Sequence, residues 1–198
     1  MRLKLSLLIL ALLGALSIPP ALWATTVMEM NLATLAERSD KVFRGTVLSV
    51  SETSVQAGGG TIPAIIYTLR VDDALKGSFD EVKGETLVEI KMVGTLKQYH
   101  AGKGPIAGFP LLKTGADYLL MVAHPGPVGL TSPMGLGQGT FNIFTDPSTR
   151  QEMALNGFNN VALFKGLAKS TRDLAKSAPT EGPVPYSMLA DMIRATID

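Results

Sequence analysis

The chain of 198 residues suits one domain of ordinary size, or a domain with an appendage, and not two independent large cores. Its 18 Lys and Arg nearly balance 17 Asp and Glu, with no charge run longer than two, which excludes an electrostatic case for nucleic-acid binding. The absence of cysteine excludes disulfides, thiolate metal sites, a cysteine nucleophile and a lipid-modified cysteine, while 20 Gly and 12 Pro mark a turn-rich globular chain.

Residues 1–24 carry Arg2 and Lys4 ahead of an apolar run from Leu5 to Ile18, which Pro19 and Pro20 then break. A run of 14 residues is the length of a signal-peptide core and is short of a bilayer span. The layout predicts an exported protein, periplasmic or secreted, cleaved after Ala24. A retained anchor, with Leu22 and Trp23 extending the span, is the alternative. Removing Arg2 and Lys4 from the 18 basic residues leaves 16 against 17 acids, so the mature chain from Thr25 has a net charge of −1. No other stretch reads as a membrane span, and without disulfides the exported fold must be held by its own hydrophobic core.

Along the mature chain, Asn31 stands in front of Leu32, Leu35 and Ala36, which predicts a short capped helix from Asn31 to Ser39. Lys41 to Glu52 is rich in β-branched residues and carries Gly45 in mid-strand, the mark of a bend or bulge. Ala57 to Pro63 reads as a glycine-rich turn. Ile65, Tyr67, Leu69 and Val71 then alternate with more polar neighbours as a half-buried strand, and Val88, Ile90 and Met92 do the same within Thr86 to Val93. Gly94 to Gly115 reads as loop. Asp117 to Ala123 is nearly all apolar after its first residue and predicts a central strand buried on both sides.

His124 to Gly139 holds five Gly and three Pro in sixteen residues and must be mostly loop. Thr140 to Phe144 and Arg150 to Leu155 are the last strand signals, joined by a turn at Asp146, Pro147 and Ser148. A weak helical pattern covers Val161 to Ser177, and a stronger one begins at Ser187 with Met188, Leu189, Met192 and Ile193. These elements predict a mainly β protein: a small antiparallel barrel of five to seven strands, of the oligonucleotide/oligosaccharide-binding type, with peripheral helices. The organisation expected is a leader at 1–24, the barrel at 25–160 and a helical extension packed on it at 161–198.

Few residues suggest chemistry. His100 and His124 are the only histidines, and no pair one turn apart, HExxH or cysteine accompanies them, so no metal or cofactor is expected. There is no G-x-S-x-G or S-x-x-K to activate a serine, and a hydrolase would need a dispersed site built on His100 or His124. Paired carboxylates at Asp72 with Asp73 and Asp80 with Glu81 sit at turns beside lysines and read as solvated. The Gly135, Gly137 and Gly139 array leads into a strand, not into the helix a phosphate cradle needs. The notable feature is four apolar residues stranded in glycine-rich loop: Val128, Leu130, Met134 and Leu136. They either plug a barrel end or present a partner-binding patch.

The pieces LxxLAERSDKVFRGTVLSV at Leu32 to Val50, YTLRVDDALKG at Tyr67 to Gly77, GADYLLMV at Gly115 to Val122 and GQGTF at Gly137 to Phe141 fall in a familiar order. This order resembles a group of secreted bacterial proteins. Its layout is similar to the netrin-like module of the tissue inhibitors of metalloproteinases. The resemblance covers Leu32 to Phe144 and implies a non-catalytic, protein-binding barrel whose partner could be a protease. Those inhibitors bind the protease zinc through an N-terminal cysteine followed by a small hydroxyl residue. Cleavage after Ala24 leaves Thr25 and Thr26 at the N-terminus, with a hydroxyl in second place but no cysteine and no disulfide to pin it. The expectation is therefore an exported binding protein of the cell envelope or secretome, with protease inhibition and a dispersed-site hydrolase as alternatives. Its partner is expected to be a protein, contacted through Val128, Leu130, Met134, Leu136, Thr25 and Thr26.

Overall fold

A computed structural model describes residues 28–106 and 108–197. The leader, its cleavage point, Thr25 and Thr26 lie outside the described residues. Asn31 caps the first helix, α1 (Leu32–Arg38), its side-chain oxygen accepting the Thr34 N–H at 2.8 Å as the spacing predicts. Then come β1 (Lys41–Ala57) and β2 (Gly60–Lys76), a hairpin of two 17-residue strands. The turn is shorter than the sequence suggests. Gly58 and Gly59 both take positive φ, +59° and +77°, so two residues reverse the chain, and the rest of the glycine-rich stretch pairs as strand up to Ala57 opposite Gly60.

Gly45 marks a register shift in β1, and a Cβ at this position would stand 2.4 Å from the Arg70 carbonyl oxygen, so only glycine admits the close approach. The chain continues through β3 (Asp80–Val82), β4 (Glu85–Val93), α2 (Leu96–His100), β5 (Asp117–Val122), β6 (Thr140–Thr145) and β7 (Glu152–Asn156). It ends with α3 (Lys169–Leu174), β8 (Val184–Pro185) and α4 (Tyr186–Ile197).

All eight strands form one antiparallel sheet in the order β3-β4-β2-β1-β5-β6-β7-β8, and its strand ladder is not closed. The sheet exceeds the five to seven strands expected, because the two-residue β8 and three-residue β3 are too short to show a period in sequence. Two helical readings also shift. The stretch read as loop after Gly94 contains α2, which starts with a capping box between Thr95 and Gln98. The weak helix expected over Val161 to Ser177 is found in its second half, as α3 and the 3-10 turn Ala175–Ser177, while its first part belongs to a run of turns at 157–166 in which Asn159, Asn160 and Ala162 adopt left-handed φ near +56°, +55° and +59°.

Alternation along the strands builds two cores, one on each face. Val42, Leu119, Met121, Phe141 and Ala154 face α1 and α4, meeting Leu32, Leu35, Leu189 and Ile193. Phe43, Tyr67, Leu69, Ile90, Met92, Tyr118 and Leu120 fill the opposite side beneath α2 and Leu112. The strand read as central, β5, contributes to both, and lies between β1 and β6. Beyond β5 the chain returns alongside it. Ala123 N–H donates to the Ser132 carbonyl at 3.0 Å, Met134 N–H to that of Met121 at 2.7 Å, and Thr131 N–H reaches across to the Lys91 carbonyl of β4 at 2.9 Å.

Candidate functional site

The segment entering α1 is held by one side chain from the far half of the sequence. Buried Gln138 accepts the Met30 N–H through Oε1 at 2.8 Å and donates Nε2 to the Met28 carbonyl at 3.0 Å. A primary amide presents a donor and an acceptor side by side, so it serves these alternate backbone groups as a neighbouring strand would. Gly135 makes room for it, since a Cβ there would stand 3.0 Å from Gln138 Nε2. Gly137 and Gly157 stack so closely that a Cβ on Gly157 would lie 3.2 Å from the Gly137 Cα, while one on Gly139 would lie 2.5 Å from the Met134 carbonyl oxygen. The GQG triplet is thus a packing motif, which explains why its spacing does not suit a phosphate loop.

Behind Gln138 lies a buried amide network. Asn156 Nδ2 donates to the Gln138 carbonyl at 3.1 Å, and Asn156 Oδ1 accepts the N–H groups of Phe158 and Asn160 at 2.9 and 2.8 Å. Asn160 Oδ1 accepts the Asn156 N–H at 2.9 Å, and its Nδ2 donates to the carbonyls of Ala154 and Gly182 at 3.0 and 2.8 Å. The turn so fixed presents Phe158 and Val161 to solvent, 39% and 48% exposed, and Met28 of the anchored segment is 61% exposed. Phe158 is in contact range of Gly137, the residue before the Gln138 that holds the segment. Sequence reading missed Gln138, Asn156, Asn160, Phe158 and Val161. The NGFNN run at 156–160 was the available signal, since Asn and Gly favour left-handed turn positions.

The four loop residues singled out in sequence part company. Val128 is exposed at the tip of a turn closed by bonds between Gly126 and Leu130 and between Gly129 and Gly126. Leu130 is partly buried and lines a concavity of about 310 Å³ with Val93, Phe109, Ala123, His124, Thr131 and Ser132. Met134 packs against the core under α1 and α4. Leu136 is partly buried with φ of +57° and opens the 3-10 turn Leu136–Gly139 that carries Gln138. The structure thus brings Leu136 to the anchored N-terminal segment and leaves Val128 and Leu130 on the loop that borders β4.

The titratable groups are spread over the surface. His124 is 83% exposed and sits 3.3 Å from Asp40, while His100 is exposed and packs edge-on to Tyr99. Neither is buried beside a nucleophile. Among the described residues no three His, Asp or Glu side chains gather as a metal site.

The densest charge network centres on Arg44. Its guanidinium bonds Asp117 at 2.6 Å and Glu152 at 2.6 Å and lies 4.7 Å from the centre of the Tyr186 ring. Tyr186 in turn donates its hydroxyl to Asp73, which also accepts two bonds from Arg194. The Glu152 bond, which outweighs the opposing effect of burial, holds Arg44 above its ordinary pKa. The Arg44 bond holds Glu152 below the usual carboxylate range, and burial, then Asp73, raises the Tyr186 phenol. The network fastens α4 to β1, β2, β5 and β7, and the second oxygen of Asp117, Oδ1, lies buried within it without a hydrogen-bond partner.

The sequence matches no protein-family model and no curated protein. Among the described residues no helix is long and apolar enough to cross a membrane.

Proposed function

We propose that this chain is an exported, non-catalytic binding protein of the cell envelope or secretome, that its partner is another protein, and that its sheet curls into a netrin-like barrel. The barrel reading is supported by the 131–134 segment, whose backbone bonds reach β5 on one side and Lys91 of β4 on the other. The binding reading rests on one observation: Met28, Phe158 and Val161 expose apolar surface, Met28 on a segment that Gln138 holds at two backbone groups. Large apolar side chains on a rigidly held surface mark interaction sites, because a preorganised patch loses little entropy on docking.

The test is capture from envelope extract by the exported chain. It is compared with a Phe158→Glu, Val161→Glu variant and, separately, a Val128→Asp, Leu130→Asp variant, with matched melting temperatures. A partner lost by the first and kept by the second supports this surface. A partner lost only by the second moves the site to the loop after His124, and capture unchanged by both refutes the reading. Protease inhibition is favoured by the same Gln138 clamp, which fixes backbone three residues beyond Thr25. Titration against zinc endopeptidases, with the α-amine free or acetylated, tests it, and no inhibition at stoichiometric excess refutes it.

A further inference from the structure

Beside the amide-held turn lies a groove of about 490 Å³ between the 162–165 segment and the 3-10 turn Ala175–Ser177, continuing to Thr180. Its lining is mostly apolar: Phe164, Ala162, Ala175, Ala178 and Pro179. Phe164 and Ala175 also pack against the main core, so the floor of the groove is part of the folded interior and not a flap. The volume falls in the range of small-molecule sites. Two cations stand in the lining. Lys165 makes no ion pair with any other described residue, and Lys176 is shared only with the exposed Asp173, at 2.8 Å.

The wall at Ala162 is built from an uncommon backbone. Asn159, Asn160 and Ala162 are all left-handed, and for Ala162, with its Cβ, that conformation is strained. Such strain persists only where surrounding structure enforces it, and here the Asn156 and Asn160 side chains supply the constraint. The result is an apolar trough whose Ala162 wall is held in place, with Lys165 making no ion pair among the described residues and Lys176 paired with Asp173. Water gains little there, a neutral apolar ligand leaves the lysines unused, and a cationic amphiphile meets repulsion.

We propose that this groove binds a medium-chain fatty acid, its carboxylate between Lys165 and Lys176 and its acyl chain along Phe164, Ala175, Ala178 and Pro179. Transfer of methylenes out of water supplies the affinity, and the lysines supply the choice of head group. The binding is independent of the protein-partner surface.

The test uses the exported chain titrated with sodium decanoate below its micelle concentration, read from the methyl resonances of Ala162, Ala175 and Ala178. Decanol and decyltrimethylammonium are parallel probes. Saturable shifts at these methyls are expected with decanoate, and binding about tenfold or more weaker with both other head groups. Lys165→Glu with Lys176→Glu should weaken decanoate by at least tenfold without changing the melting temperature. Ala178→Trp should abolish the shifts by filling the groove. The proposal is overturned by absence of saturable shifts, by equal binding of the three head groups, or by shifts centred on other alanines.

Discussion

Asn160 offers the sharpest test of what holds the turn behind the N-terminal segment. It is 1% exposed, and truncation to alanine removes three hydrogen bonds: from the Asn156 N–H, and to the carbonyls of Ala154 and Gly182. An orphaned buried N–H costs about 1–3 kcal/mol, and the two carbonyls, each with a second lone pair, cost less. A left-handed alanine at φ +55° adds about 1 kcal/mol, because Asn tolerates that region better. The expected destabilisation is about 3–5 kcal/mol, which for a chain of this size lowers the melting temperature by roughly 6–20 °C. Urea denaturation with an unchanged slope, alongside calorimetry, measures it.

Asn160→Asp separates the contributions. It keeps the acceptor and the left-handed preference but turns a carboxylate oxygen toward the two carbonyls. That contact raises the folded-state pKa of the new acid, so the variant regains stability as pH falls through that raised value, the gain is complete by about pH 4, and it is lost again as pH rises. If Asn160→Ala melts within about 4 °C of the parent, the deficit is near 1 kcal/mol and the amide network is not what fixes the turn.

Two further expectations follow from close contacts and from titration. Gly45→Ala drives a Cβ to 2.4 Å from the Arg70 carbonyl, and the overpacking should cost about 1–3 kcal/mol in denaturant melts, whereas an unaffected midpoint would show that β1 straightens freely. Burial holds the Tyr67 phenol up at about 12, and its hydroxyl has no hydrogen-bond partner although the Leu112 backbone lies close. The neutral phenol is the form the fold accepts, so its contribution is complete below the unfolded value near 10 and fades as pH climbs through 12. Tyr67→Phe should therefore flatten alkaline unfolding between about pH 10 and 12 and leave stability at pH 7 equal or higher by up to about 1 kcal/mol. A loss of stability at pH 7 would show that the hydroxyl is bonded in solution.

What the sequence made legible was governed by period and by caps. The alternation at Ile65 to Val71 and Val88 to Met92, the uninterrupted apolar run of β5 and the Asn31 cap each report a local constraint, and each lies where that constraint puts it. The same local reading failed where tertiary pairing decides. Gly60 to Pro63 looks like turn, but it is strand because β1 continues opposite it. Val184 and Pro185 join the sheet only because β7 offers an edge. The site was harder still. Gln138 and Asn160 reach their partners across 108 and 22 residues of sequence, so no spacing rule could connect them. Val128 and Leu130 are noticeable because they are apolar in a loop, whereas Val161 has the same property in a stretch whose weak helical pattern concealed it, and Phe158 stands just ahead of that stretch.

The two polar networks differ in kind, and the difference bears on how the surfaces behave. The helix α4 is fastened by charges, Arg44 to Asp117 and Glu152, and Arg194 to Asp73, with side chains partly open to water, so salt and acid loosen that contact. The N-terminal segment is fastened by neutral amides, from Met28 and Met30 through Gln138 to Asn156, Asn160 and Gly182. No member of that chain carries an ionisable side chain, and each buried amide finds a partner. The apolar surface around Met28, Phe158 and Val161 and the groove beside Ala162 both rest on this second network. Their shape is set by directional bonds between neutral groups, which neither pH nor ionic strength removes.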